Sequence, residues 1–196
     1  MKLVLATGNP DKVREVKQIL VGQLELIGLK DIGCMEDLPE TSPTLAGNAL
    51  QKARYVYDHF SLDCFAEDTG LEIEALNGEP GVLTARYAGN DKNPEANIAL
   101  VLEKMEGISN RKACFKTVIA LIIGGKEHTF EGVATGTIAT APSGANGFGY
   151  DPIFRPDGYF GKTFAEMDKE EKNAVSHRAK ALALLKSFLD KHRATP

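Results

Sequence analysis

The chain has 196 residues, 43% of them hydrophobic, with a formal net charge of −4. That length suits one domain, or one domain with a lobe, and scattered basic residues on an acidic chain exclude a broad phosphate-backbone footprint on DNA or RNA. Cys34, Cys64 and Cys114 lie far apart without a C-x-x-C pair, no apolar run reaches membrane-spanning length and no signal-type leader opens the chain, so a soluble protein with reduced thiols in the cytoplasm is expected.

Residues 1–6 form an apolar run that breaks at Thr7-Gly8-Asn9 and passes into a helix signature. Asn9 suits the N-cap, Pro10 the first helical position, and Val13, Val16 and Leu20 supply one apolar stripe. Orphan N–H groups at this turn, with Lys12 beside them, suit a phosphate. An ordinary strand-to-helix turn uses the same Gly, Asn and Pro for shape alone, and the Walker A and G-x-G-x-x-G spacings are absent. Residues 24–29 read as a short strand. A long helix starts near Ser42-Pro43, with Leu45, Ala49, Ala53, Val56 and Phe60 along one face and Lys52 on a neighbouring position.

Glu67-Asp68-Thr69-Gly70 reads as a junction ahead of a half-buried strand over residues 71–76. Asn93-Pro94 opens a helix with Ile98, Val101, Leu102 and Met105 inward. Strands over residues 112–123 and 128–140 flank Gly124-Gly125-Lys126, a hairpin signal. Residues 142–152 combine Gly144, Gly147 and Gly149 with Phe148, Tyr150 and Asp151, a loop able to approach a flat ligand closely. The last helix covers residues 179–192, with Ser176 as its cap, Leu182, Leu185 and Leu189 inward, and His177 and Arg178 in its first turn. One α/β domain over 1–196 is expected, its sheet mixing hairpin and crossover connections.

Glu40 and the Glu67-Asp68 pair are the candidates for a hard metal, since Mg²⁺ takes oxygen ligands from one or two carboxylates plus substrate phosphates. Asp68 can also orient or deprotonate a water. Acids in loops are otherwise solvated surface, and Lys12, Lys52, Lys172 and Arg178 are either neutralisers of a polyphosphate or ordinary exposed charges. His177 fits a base edge, a phosphate or a helix start. Phe148 fits a nucleobase stack or a plug under its loop.

Together, residues 6–12, 67–71, 80–87, 147–152 and 176–178 resemble the inosine/xanthosine triphosphate pyrophosphatases, a house-cleaning family, in motifs ordered over nearly the whole chain. The resemblance implies hydrolysis of non-standard purine nucleoside triphosphates (ITP, dITP, XTP) to monophosphate and pyrophosphate with Mg²⁺. It also implies a homodimer and a single elongated two-lobed α/β domain, with a central mixed twisted sheet flanked by helices and a substrate cleft between the lobes. Carried over, Thr7, Gly8, Asn9, Pro10, Asp11 and Lys12 become the phosphate loop, Glu40 and Asp68 the metal carboxylates, and Asp68 the catalytic base. Lys52 becomes a phosphate contact, and Thr69, Phe148, Gly149, Tyr150, Asp151, Lys172, His177 and Arg178 fall on substrate-binding positions. Many members read Asp-Asp-Ser-Gly at 67–70 and Glu-Asn-Ala at 47–49. The first departure keeps both acids and a hydroxyl; Gly47 removes a carboxylate near the metal.

On this reading water activated by Asp68 attacks the α-phosphorus, and base choice rests on the 6-keto oxygen, which accepts where adenine donates. His177, Arg178 and the main chain near Phe148 are expected to sense the base edge. The alternatives are a nucleotide-binding sensor without turnover and a pyrophosphatase for modified pyrimidine triphosphates. A Rossmann dehydrogenase lacks its glycine fingerprint here.

Overall fold

The computed structural model describes residues 2–20, 22 and 24–194. Met1, the first residue of the opening apolar run, lies outside them.

Its elements are β1 (Lys2–Leu5), α1 (Pro10–Ile19), β2 (Glu25–Gly28), α2 (Leu45–Phe60), β3 (Cys64–Ile73), α3 (Pro94–Lys104), β4 (Lys112–Ile123), β5 (Lys126–Ile138), β6 (Phe154–Pro156), α4 (Lys169–Val175) and α5 (His177–Ala194). The six strands form one sheet in the order β2-β1-β3-β4-β5-β6. β1 pairs in parallel with β2 and with β3, which requires crossover connections, and α1 and α2 supply them. β4 and β5 are joined through the Gly124-Gly125 turn, and β6 pairs antiparallel with β5. The sheet is therefore mixed, as expected.

The chain divides into two compact units, and β3, β4 and β5 each pass from one to the other. The first holds residues 1–68, 117–132 and 178–196. Its strands are covered on both faces, which is why they read as continuous apolar runs rather than alternating ones. Leu3, Leu5, Phe65, Ile119 and Leu121 pack with Val16 and Leu20 of the α1 segment and with Leu182, Leu185 and Leu189 of α5. Val4, Ala6, Cys64, Ala66, Ala120 and Ile122 point the other way and pack with Ala49, Ala53 and Val56 of α2. The period-2 alternation thus sorts each strand residue to one helix layer or the other.

The second unit holds residues 69–116 and 133–177. Its core gathers Leu71 and Ile73 of β3, Ile98 and Val101 of α3, Phe115 of β4, Ile138 of β5, and Phe154 and Phe164. Phe115, Phe154 and Phe164 meet in edge-on and tilted contacts of the kind that add to simple burial, with Phe115–Phe154 centroids 4.8 Å apart.

Several boundaries differ from expectation. β3 runs unbroken through Glu67, Asp68, Thr69 and Gly70, so these residues form no loop junction, and it stops at Ile73, with Glu74–Leu76 turning into a short 3-10 segment. Helix α2 begins at Leu45 behind an N-cap at Thr44, not at Ser42. Ser176 closes α4 as well as preceding α5, which starts at His177. No described helix is long and apolar enough to cross a membrane.

Candidate active site

In the first unit, the turn between β1 and α1 forms as its residues dictate. Asn9 adopts an extended conformation and its Oδ1 accepts from Asp11 N at 2.9 Å and Lys12 N at 3.3 Å, with Pro10 at the start of the helix. The Thr7 hydroxyl accepts from Asn9 N at 3.2 Å. Gly8, Asn9 and Pro10 are exposed, and Asp11 pairs with Arg14 at 2.9 Å. Asn9 thus satisfies two donors that an anion at the helix start could otherwise take. Lys12 points back to the sheet, 3.5 Å from Glu67.

Glu67 and Asp68 are neighbours in sequence whose side chains turn to different partners, because successive strand residues face opposite ways. Glu67 follows Phe65 toward α1 and α5. There Arg178 Nε lies 3.0 and 2.9 Å from its two oxygens, Arg178 Nη2 lies 2.9 Å from Oε1, and Arg178 Nη1 reaches Glu15 of α1. Glu67 and Arg178 are 0% and 1% exposed. Burial pushes the Glu67 carboxyl up, but Arg178 and Lys12 outweigh it and hold the group at about 2. Burial likewise works against the charged Arg178, yet Glu67 and Glu15 raise it above its ordinary value. Burial, with Lys52 and Arg178, lowers Lys12 despite Glu67. This face of β3 is a buried charge network that Lys52 and Asp68 also influence, and Glu67 serves it as a counter-ion.

Asp68 follows Ala66 toward α2, where Asn48 and Lys52, four residues apart, share one face with Gln51. Asn48 Nδ2 donates to Asp68 Oδ2 at 3.1 Å. Lys52 Nζ donates to Glu40 Oε1 at 2.5 Å and to the Glu67 carbonyl at 2.8 Å, and lies 3.7 Å from Asp68 Oδ1. Two carboxylates therefore converge on one cation. Such an all-oxygen pair fits a hard divalent ion of the Mg²⁺ type, which completes its shell from substrate and water. Among the described residues, no three His, Cys, Asp or Glu side chains gather to hold a metal unaided.

The segment bearing Glu40 is fastened to α2 by amide side chains. Asn48 Oδ1 accepts from Ser42 N at 2.8 Å, while Gln51 accepts from Thr41 N and donates to the Thr41 hydroxyl, both at 2.9 Å. Gly47 permits this approach: a Cβ there would lie 1.9 Å from Ser42 Oγ and 2.9 Å from Thr44 Oγ1. The departure at Gly47 is thus the space into which Ser42 settles.

In the second unit, Thr69 is half-buried in β3, directly after Asp68. Asp151 is the hub of the glycine-rich loop. Its Oδ2 accepts from Phe148 N at 2.8 Å and from Lys172 Nζ of α4 at 2.6 Å. It comes so close to Gly147 that a Cβ there would lie 1.9 Å from Oδ2. The Lys172 ammonium also lies 5.2 Å from the centre of the Phe148 ring, within cation–π range. Gly149 is half-buried; Tyr150 is buried and donates its hydroxyl to Thr84 O at 2.9 Å. The His177 ring is stacked on Phe115 with centroids 4.6 Å apart.

The structure therefore brings the expected residues into three groups. Lys12, Glu67 and Arg178 meet on one face of β3, Glu40, Lys52 and Asp68 on the other, and Phe148, Asp151 and Lys172 in the second unit. Glu15 and Asn48 are partners that sequence reasoning did not single out. The signals were the spacing of Glu15 three residues after Lys12, and of Asn48 four before Lys52, on single helix faces.

The comparisons agree with this architecture. The family model described as Ham1 family matches residues 3–188. The chain is 53% identical over 189 residues to a dITP/XTP pyrophosphatase of Porphyromonas gingivalis, covering 96% of this chain and 97% of that protein. It is 50% identical over 189 residues to one of Flavobacterium johnsoniae, covering 96% and 98%. The solved structure of the Staphylococcus aureus Ham1 protein superposes with a TM-score of 0.89 at 38% identity, covering 98% of this chain and all of that one. The chain belongs to the Ham1 family.

Proposed function

We propose that the protein hydrolyses non-standard purine nucleoside triphosphates, dITP, XTP and ITP, to the monophosphate and pyrophosphate, so removing them before incorporation into DNA or RNA. The observation that carries this reading is Asp68: a carboxylate only 8% exposed, fixed at Oδ2 by an amide donor and approached at Oδ1 by Lys52. The names of the two relatives above support the substrate class.

The turn at residues 7–12, with Lys12 and Lys52, takes the phosphates chiefly by charge, since Asn9 already holds the Asp11 and Lys12 N–H groups. Asp68 orients a water and accepts its proton at Oδ1. The water oxygen bonds to the α-phosphorus, the bond from that phosphorus to the bridging oxygen breaks, and pyrophosphate leaves. Mg²⁺, which Glu40 and Asp68 would hold, supplies neutralisation of phosphate charge when bound. Glu67 holds Lys12 by charge, while Arg178, 1% exposed and taken up by Glu67 and Glu15, anchors Glu67 instead of reading the base edge. The base is read by main-chain groups near Phe148 and by His177, with Phe148 as stacking surface and Asp151 and Lys172 fixing the loop. Donors aimed at the 6-keto oxygen are left facing an amino group when adenine is offered, which excludes ATP. A cytoplasmic homodimer belongs to the same reading.

The test is pyrophosphate release from dITP, XTP, ITP, GTP and ATP, with Mg²⁺ or with EDTA, by wild type and Asp68→Asn. Expected is metal-dependent turnover of dITP, XTP and ITP, lower by about 10²- to 10⁴-fold in the variant, the range of general-base contributions. Tight nucleotide binding without pyrophosphate release would make the protein a sensor, and equal kcat/KM for ATP and ITP would end the proposed base discrimination.

A further inference from the structure

We infer that Asn48 is the positioning residue that sets Glu40 and Asp68 against each other, an assignment that rests on the function proposed above. A primary amide has one acceptor end and one donor end, and here each end is used on a different piece of the site. The Ser42 N–H can only donate, so Asn48 must present Oδ1 to it. The amino end then necessarily faces Asp68 Oδ2. The side chain is 4% exposed, so water does not compete freely for either bond.

One rigid group on α2 thus fixes the segment that follows Glu40 and the strand that carries Asp68. Gln51, one turn further on, holds Thr41 by a second two-ended amide, and Lys52 bridges the two acids themselves. Gly47 belongs to the same arrangement, since a Cβ there would press on the Ser42 side chain, whose backbone N–H Asn48 holds. Donation to Oδ2 leaves Oδ1 as the oxygen turned to Lys52. Asn48 touches no reacting atom; it acts through Asp68 and the Glu40 segment.

The test uses the whole protein with Asn48→Ala and Asn48→Asp. Two readouts are taken: steady-state kinetics on dITP over a range of Mg²⁺, and calorimetric binding of an α,β-methylene dITP analogue with Mg²⁺ or with EDTA. Outer partners of metal-binding groups contribute about ten- to a hundredfold. The expected result for Asn48→Ala is a loss of that size in kcat and in the Mg²⁺-dependent gain in analogue affinity, while affinity in EDTA stays within about twofold of wild type. Asn48→Asp keeps the shape and the acceptor for Ser42 but sets a second carboxylate against Asp68, so its kcat falls at saturating Mg²⁺. Should Asn48→Ala fail to fold, the kcat of Asn48→Asp decides. A folded variant with wild-type kcat and wild-type Mg²⁺ dependence would overturn the assignment. So would an equal loss of analogue affinity in Mg²⁺ and in EDTA, the mark of a merely structural role. If wild type releases no pyrophosphate from any nucleotide, the proposed function fails, while the calorimetric comparison still reads the Asn48 assignment.

Discussion

Glu67→Gln tests the buried charge network on one face of β3. The substitution keeps the shape of a side chain that is 0% exposed and removes the charge that faces Arg178 and Lys12. Breaking a buried pair from one side costs about 3–5 kcal/mol, because the opposing charge stays buried. The carboxyl gives a second route to the same size: a fall from the ordinary 4.5 to about 2 corresponds to about 3 kcal/mol of stabilisation at neutral pH. For a chain of this length that means a Tm lower by about 10 °C. The pH dependence has a definite sign. A carboxyl whose folded value is depressed stabilises fully above 4.5, and that contribution is lost as pH falls toward about 2. Urea denaturation of wild type and variant from pH 7 to pH 2 should therefore show a gap of about 3 kcal/mol that closes below pH 4.5. A gap under about 1 kcal/mol at pH 7, typical of an exposed pair, or one that persists unchanged to pH 2, would refute the reasoning.

Lys172→Met removes the cation that Asp151 Oδ2 shares with Phe148 N, and should cost about 3 kcal/mol in a denaturation series, partly recovered by adding Asp151→Asn. Full additivity of the two changes would show that the pair is not coupled. Gly47→Glu restores the carboxylate frequent in the family, yet it drives a Cβ into Ser42, so a loss of about 1–3 kcal/mol is expected rather than a gain in activity. Adding Ser42→Gly should relieve most of that loss; a double variant as unstable as the sum of the singles would place the clash elsewhere.

Local chemistry was readable wherever the partners lie close in sequence. Asn9 and Pro10 start α1, Asn93 and Pro94 start α3, and Gly124-Gly125 closes the hairpin, all from contacts within a few residues. The apolar face of α2 was equally plain. β3 was misread at Glu67-Asp68 because two acids argue for a loop unless something neutralises them. The neutralising group, Arg178, is 111 residues away, and no local pattern announces it. The same distance hid the division of roles between the two acids. Helix α4 did carry a signal, the capping box of Asp168 and Glu171, in which each side chain caps the other's backbone N–H. Only seven residues long, it lacks the repeating stripe that marks longer helices. β6 is three residues ending in proline at the sheet edge, too short for alternation to show.

The pairing of Val4 with Cys64 and Leu5 with Phe65 fixes which way each later residue of β3 looks. A slip of a single residue would turn Asp68 to the face that holds Arg178 and Glu67 to the face that holds Lys52, while every apolar neighbour also changed sides. Insertions and deletions in this chain therefore have very unequal consequences. One residue added at the Gly124-Gly125 turn lengthens a surface connection, whereas one added between Phe65 and Glu67 turns each acid to the opposite face and strands charge in both helix layers. Each misplaced ion costs several kcal/mol against a total stability of roughly 5–15 kcal/mol, so the fold itself proofreads the site.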